Sequence, residues 1–182
     1  MRVLAVVVFA CLSAGALPAC AQSQYQRLID RSVQLAGQGQ YASAVEAAEA
    51  ALRSAEESLG PSHLDVALAL NNLAEFHQMA AFVSRDQAAL ARAAEIAEPL
   101  HRRALEIREK TLGPRHSFTL ASMINLARVY SLQRRYDEAE AEYQRAQAIM
   151  QEISPLPPVL ADLDRQATAG LRRIAQLRSV KR

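Results

Sequence analysis

Apolar residues recur every three to four positions along most of the chain, which is the period of an amphipathic α-helix. One such stretch, 41–58, ends at Gly60-Pro61, and a later one ends at Gly113-Pro114. Glycine accepts the left-handed conformation at a helix end, and proline cannot continue the helix. The pattern predicts no strand. It predicts helices over about 24–37 and 41–58, one from about 63, one ending at 112, and helices over about 117–134, 136–153 and 159–179.

Two segments of the chain are nearly the same. The sequence SLGPSH at 58–63 recurs as TLGPRH at 111–116, and an Asn-Leu-Ala triplet follows each of them, starting at Asn72 and at Asn125. Self-similarity at a fixed spacing indicates a repeat protein. Repeat architectures present extended binding surfaces, so the pattern favours a binding function over a catalytic pocket.

The third predicted helix pair carries small and aromatic residues at fixed offsets: Ala127, Tyr130, Tyr136, Ala139, Tyr143 and Ala146. With the LGPxH and NxLA segments, this pattern resembles tetratricopeptide repeats of the kinesin light chain type, over about residues 25–153. The period of that type exceeds the usual length of about 34 residues. The resemblance implies an all-α fold, a right-handed superhelical stack of three antiparallel helix hairpins within 22–153, closed by a C-terminal capping helix.

The second hairpin is longer than the others. Matching alanines of hairpins two and three, at 74 and 127, are 53 residues apart, whereas Ala97 and Ala139 are 42 apart. Eleven additional residues therefore lie near 79–90, and we expect them to lengthen both helices around a turn at 84–86, with Asp86 or Ser84 as the N-cap. The apolar residues of this segment either pack on a neighbouring element or form an exposed docking knob: Met79, Phe82, Val83 and Leu90.

The two ends of the chain differ from the repeats. Residues 1–21 have the basic start, apolar run and small-residue ending of a secretory signal peptide, with an uncleaved anchor as the alternative. Residues 17–20 also resemble a bacterial lipobox, which would place a lipid on Cys20, although Pro18 departs from that motif. At the other end, 154–158 predict a Pro-rich connector and 159–182 a capping helix with a basic tail. Gly170 in this helix would suit a close helix contact.

The leader sets the expected location, which is the periplasm after export, with an outer-membrane lipoprotein or a secreted protein as alternatives. Both cysteines, Cys11 and Cys20, lie in the leader. Cleavage after Ala21 would leave a mature chain without a thiol, which excludes disulfide and thiol-nucleophile chemistry there.

Composition and motifs exclude several function classes. The formal net charge is only +2 and there is no Trp, which argues against a nucleic-acid partner. No phosphate-binding glycine loop, GxSxG or HExxH segment occurs, so we expect no enzyme activity, no cofactor and no metal. Each histidine has a structural interpretation. His63 and His116 lie at helix starts, and His77 and His101 replace packing tyrosines.

The resemblance also implies a concave groove lined by the first helix of each hairpin. Six residues at matching positions are candidate peptide-binding residues: Asn71, Asn72, Glu75, Gln78, Asn125 and Arg128. A side-chain amide can both donate to and accept from a peptide backbone. The alternatives are hydrogen bonds within the stack and a Glu75–Arg128 salt bridge.

The sequence therefore predicts a non-enzymatic exported adaptor or scaffold that binds an extended peptide or a helix of a protein partner. The alternative function is a lipid-anchored structural subunit of a bacterial envelope complex, held through Cys20. A groove of three hairpins is short and offers modest affinity for a partner. The sequence therefore also leaves self-association as an alternative.

Overall fold

The computed structural model describes residues 23–179. The expected signal peptide at 1–21, the candidate lipidation site Cys20 and the last three residues lie outside this part. Within it the chain forms seven helices and no strand: α1 (Gln24–Gly37), α2 (Tyr41–Leu59), α3 (Leu64–Ser84), α4 (Gln87–Leu112), α5 (Ser117–Leu132), α6 (Tyr136–Gln151) and α7 (Pro158–Ser179).

The helices form a stack in which each packs chiefly on its neighbours along the chain. Short turns join α1 to α2, α3 to α4 and α5 to α6 into hairpins, and α7 packs on α6 and α5. The predicted all-α stack of helix hairpins is therefore confirmed. Where the helices cross, the buried residues are mostly alanines, because small side chains let two helix backbones approach closely: Ala44, Ala48, Ala74, Ala97, Ala127, Ala139 and Ala146.

The repeated LGPxH segments end one helix and begin the next in the same way. Gly60 and Gly113 adopt positive φ angles of 85° and 81° directly after α2 and α4. The imidazole of His63 then accepts a hydrogen bond from the backbone N–H of Asp65 at 3.1 Å, as the N-cap of α3. His116 does the same for α5, as predicted. Each histidine satisfies one of the free N–H groups at a helix start.

The second hairpin is the long one, as its spacing predicts. α3 has 21 residues and α4 has 26, against 14 and 16 for α1 and α5. Asp86 caps α4 by accepting from the backbone N–H of Ala88 at 2.9 Å. Phe82 and Val83 are 63% and 59% exposed at the hairpin tip, whereas Met79 and Leu90 are half-buried. The exposed alternative therefore holds for the tip itself.

Several helix bounds differ by one or two residues from the sequence-based ones. α5 stops at Leu132 instead of 134, because Arg134 turns into the left-handed region at φ 62°. α6 stops at 151 instead of 153, and α7 begins at Pro158, where a proline at the first helical position loses no hydrogen bond.

Candidate peptide-binding face

One face of the stack is built by α1, α3 and α5, the first helices of the three hairpins. The candidate residues of α3 and α5 fall at three- and four-residue spacing, so each helix carries a single stripe of them. All six are half-buried. Side chains of α3 and α5 touch directly across this face, although the second helix of hairpin two, α4, separates the two helices along the chain.

The structure joins four of the six candidates in one hydrogen-bond network. The Asn125 amide nitrogen donates to Asn71 Oδ1 at 3.0 Å and to Glu75 Oε1 at 3.2 Å, and Asn71 also donates to Glu75 at 3.1 Å. Arg128 Nη1 donates to Asn125 Oδ1 at 3.2 Å. Asn125 therefore ties α5 to α3. It makes the within-stack hydrogen bonds that the sequence left as an alternative to peptide contact.

The salt bridge considered between Glu75 and Arg128 is not formed among the described residues. Asn125 accepts from the guanidinium and donates to the carboxylate, so it occupies the space between the two charges. Within residues 23–179 Arg128 forms no direct ion pair with a carboxylate, and only Asn125 connects it to Glu75.

Asn72 differs from Asn125, although the two occupy equivalent positions in their repeats. Within residues 23–179 the Asn72 amide makes no hydrogen bond to the protein. The residue of hairpin one that matches Asn71 is Ile29, which has no polar side-chain atom to offer. The Asn72 amide is therefore free to donate and accept hydrogen bonds with another molecule. The Asn125 amide is already bonded within the stack.

Gln78 and His101 form a second polar contact behind the network. Gln78 Nε2 lies 3.2 Å from His101 Nε2 and 3.3 Å from the carbonyl oxygen of Ala74. His101 is only 1% exposed, and its Nδ1 has no partner among the described residues. Burial, and then the positive charges of Arg128 and Arg108, lower the pKa of His101 to about 3. The ring is therefore neutral at physiological pH.

Arg108 is a buried cation that the candidate set does not include. It is 7% exposed and donates to Ser122 Oγ at 2.7 Å and to the Phe118 carbonyl oxygen at 3.3 Å. Burial lowers its pKa to about 10, so it stays charged at neutral pH. It follows Ala104 and Leu105 at four- and three-residue spacing, and this place on the apolar side of the helix was the sequence signal for it.

Tyr143 of α6 is buried, and charges on two neighbouring helices affect its pKa. Burial raises the pKa of Tyr143, and the nearby charges of Arg128 and Arg173 oppose that rise together with a hydrogen bond involving Ser131. Arg128 belongs to α5 and Arg173 to α7, so the charges of two different helices act on this hydroxyl. Within the described residues Arg173 also lacks a carboxylate partner.

The rest of the described chain offers little other chemistry. Among residues 23–179 no group of three or more His, Cys, Asp or Glu side chains is placed to hold a metal ion. In the same part of the chain, no helix combines the length and the apolar character needed to cross a membrane.

Stacked helix hairpins with alanines at the crossings and polar stripes on the first helices define an all-α helical repeat protein. The tetratricopeptide repeat family matches at residues 33–65 and at residues 86–152, and this chain belongs to that family.

A solved structure has the same fold. It is the crystal structure of BtubC (BKLC) from P. vanneervenii, at 21% sequence identity and a TM-score of 0.64, and the match covers 86% of this chain. The chain spans 64% of the length of that protein. No curated protein matches the sequence.

Proposed function

We propose that this protein is an exported, non-enzymatic scaffold that binds an extended peptide or a helix of a protein partner on the face of α1, α3 and α5. Tetratricopeptide repeats generally mediate protein–protein interaction, which supports the scaffold class. The finer proposal rests on a difference among the polar side chains of this face: some are bonded to other side chains of the stack and others are not. Asn125 and Glu75 are engaged within the stack, whereas the Asn72 amide has no such bond and Arg128 has no carboxylate partner.

The free amide of Asn72 and the positive charge of Arg128 indicate the chemistry of the partner. The Asn72 amide can donate to a backbone C=O and accept from a backbone N–H, which suits an extended chain. Arg128, which forms no salt bridge within residues 23–179, favours a carboxylate on the same partner segment. A net hydrogen bond contributes about 1 kcal/mol and one to a charged group about 1.5–3 kcal/mol. Loss of Arg128 should therefore weaken binding more than loss of Asn72.

The test uses peptides selected from a display library on the full chain, followed by affinity measurements with variants. Asn72→Ala should weaken binding about fivefold and Arg128→Ala about tenfold or more, by the contributions given above. Arg53→Ala is the matched control, because Arg53 is an exposed arginine on α2 with only a 4.0 Å contact to Glu49. Helical content by circular dichroism should stay unchanged in all three.

The outcome of that test is decisive in both directions. If the selected peptides bind the Asn72 and Arg128 variants as tightly as the wild type, the face of α1, α3 and α5 is not the binding site. Equal weakening by Arg53→Ala would indicate a general charge effect in place of a defined contact.

The anchored alternative rests on the LPAC sequence at 17–20. Mass spectrometry of the mature N-terminus separates the two forms. A free end at Gln22 supports a soluble periplasmic scaffold. A diacylated Cys20 instead supports a lipid-anchored subunit of an envelope complex.

A further inference from the structure

The three hairpin turns on one edge of the stack share a left-handed residue. It lies two positions before the second helix of each hairpin: Gly39 at φ 76°, Arg85 at φ 56° and Arg134 at φ 62°. Glycine adopts this region without strain, but a residue with a Cβ does so at a cost. The first hairpin has glycine at this position, which the left-handed backbone favours. The second and third hairpins have arginine there. Such strain makes the two arginine side chains candidates for a functional role.

Apolar side chains accompany both arginines. Phe82, Val83 and Leu132 are 63%, 59% and 43% exposed, and they are three of the six exposed large hydrophobic residues of the described part. Val83 precedes Arg85 by two positions, and Leu132 precedes Arg134 by two. The matching residue of the first hairpin is a glycine. An apolar residue followed by a left-handed arginine is thus repeated in hairpins two and three.

The charges on this edge are unbalanced. Within residues 23–179 neither Arg85 nor Arg134 has an ion-pair partner. The nearby carboxylate of Asp86 caps α4 and pairs with Arg92 at 3.5 Å. Next to Arg134, Arg135 pairs with Glu98 at 2.7 Å and with Glu138. The carboxylates beside the two turns are therefore engaged, and the turn arginines complement an anionic surface.

We propose that this edge docks on an anionic lipid surface, with Phe82 and Val83 entering the interfacial layer and Arg85 and Arg134 contacting lipid phosphates. Amphipathic elements bury their apolar side about 5–10 Å into that layer. Eleven inserted residues shared by two helices lengthen hairpin two by five to six residues, or about 8 Å at 1.5 Å per residue. When the turn at Arg134 lies at the lipid headgroups, the tip of hairpin two therefore lies about 8 Å deeper, within the 5–10 Å of the interfacial layer.

The long arginine side chain makes this placement chemically consistent. Its methylene stem packs along apolar surface while the guanidinium returns to the phosphates. Each basic residue near an anionic membrane strengthens binding by about fivefold. Phe82 and Val83 project from a convex tip. This arrangement favours a deformable lipid layer over an acidic protein surface, which would have to supply a matching cavity.

The chain contains no tryptophan, so one substitution creates a unique fluorescent probe. Phe82→Trp reports on the tip. Val159→Trp is the matched control, because Val159 is 44% exposed at the start of α7, on the opposite edge. We expect a blue shift of Phe82→Trp emission with phosphatidylglycerol vesicles, a much weaker response to phosphatidylcholine vesicles, and no shift of Val159→Trp with either.

The arginines are tested in the Phe82→Trp background. Arg85→Gly and Arg134→Gly should each reduce the apparent vesicle affinity about fivefold, and Asn72→Ala should leave it unchanged. All variants keep the same N-terminus, so binding through the leader produces no shift specific to position 82. Absence of a shift at 82, or an equal shift at 159, overturns the proposal. A shift with soluble polyglutamate but not with vesicles also overturns it and identifies an acidic protein as the partner.

Discussion

Gly170 of α7 lies against the phenol ring of Tyr143 of α6, so closely that an added Cβ would come within 2.7 Å of the tyrosine oxygen and overlap the ring. This contact explains a glycine inside a helix, where it costs about 1 kcal/mol relative to alanine. Tyr143 is itself 2% exposed and cannot easily move. The glycine therefore allows the terminal helix to close the end of the stack.

Gly170→Ala should lower the free energy of unfolding by up to about 2 kcal/mol, because overpacking costs about 1–3 kcal/mol and the gain in helix propensity offsets only about 1 kcal/mol of it. Urea denaturation measures this. Gly37→Ala is the matched control, since no atom lies within 4 Å of its added Cβ. If Gly170→Ala and Gly37→Ala had the same free energy of unfolding, α7 would be able to shift away from Tyr143 without a loss of stability.

Asn125 and Asn72 should separate stability from binding. Asn125→Ala removes the hydrogen bonds to Asn71 and Glu75 and leaves a carboxylate less satisfied, so the free energy of unfolding should fall by about 1–3 kcal/mol. Asn72→Ala should change it by no more than about 0.5 kcal/mol. A double-mutant cycle of Asn71→Ala with Asn125→Ala should give a coupling energy of at least about 0.5 kcal/mol. Strict additivity would mean that the lateral bond contributes nothing.

His101 should make stability depend on pH. Its pKa is about 3 in the folded chain against 6.5 for an ordinary histidine, so the unfolded chain takes up the proton first as the pH falls. The free energy of unfolding should therefore decrease below pH 6.5, by up to about 1.4 kcal/mol per pH unit. Burial also lowers the pKa of His77, which acts in the same direction.

His101→Phe isolates that contribution. It removes the titrating ring and keeps an apolar filler, so the difference in stability between pH 7 and pH 5 should shrink, whatever the absolute stability of the variant. Carboxylates with lowered pKa values, such as that of Asp162, titrate below this window. An unchanged difference between the two pH values would assign the effect to other groups.

The left-handed arginines should limit stability. Arg85→Gly and Arg134→Gly should each raise the free energy of unfolding by about 1 kcal/mol, because glycine relieves the strain at positive φ. The two effects should add, since the turns belong to different hairpins. Thermal unfolding of the single and double variants checks both points. A loss of stability would show that the side chains hold the turns in place.

Much of the fold follows from local signals in the sequence. Gly60-Pro61 specifies a helix end through its backbone, and His63 specifies a helix start through its side-chain cap. Gly170 within an apolar stripe indicates a close contact. Such signals involve a few adjacent residues, so they can be interpreted without knowledge of the neighbouring helices.

The polar face was less predictable, for a physical reason. Helical periodicity places Asn72 and Asn125 on equivalent positions, but it does not show what the adjacent helix offers to each. Asn125 faces Asn71 and Glu75 and becomes part of the stack, whereas the matching residue beside Asn72 is Ile29. The left-handed conformation of Arg134 was missed because the period extended α5 through 134. Arg85 lay within the predicted turn at 84–86, but the pattern did not show which residue of that turn would be left-handed.

The uninterrupted course of α3 has a mechanical consequence. The same 21-residue rod carries Asn71 and Glu75 near its middle and Phe82 at its outer end. Seven residues separate Glu75 from Phe82, which is about 10 Å along the axis. A displacement of the tip is transmitted along this helix to the Asn71–Asn125 hydrogen bond. Tilting of the rod would therefore reposition the amide of Asn72, with no flexible joint between the two ends.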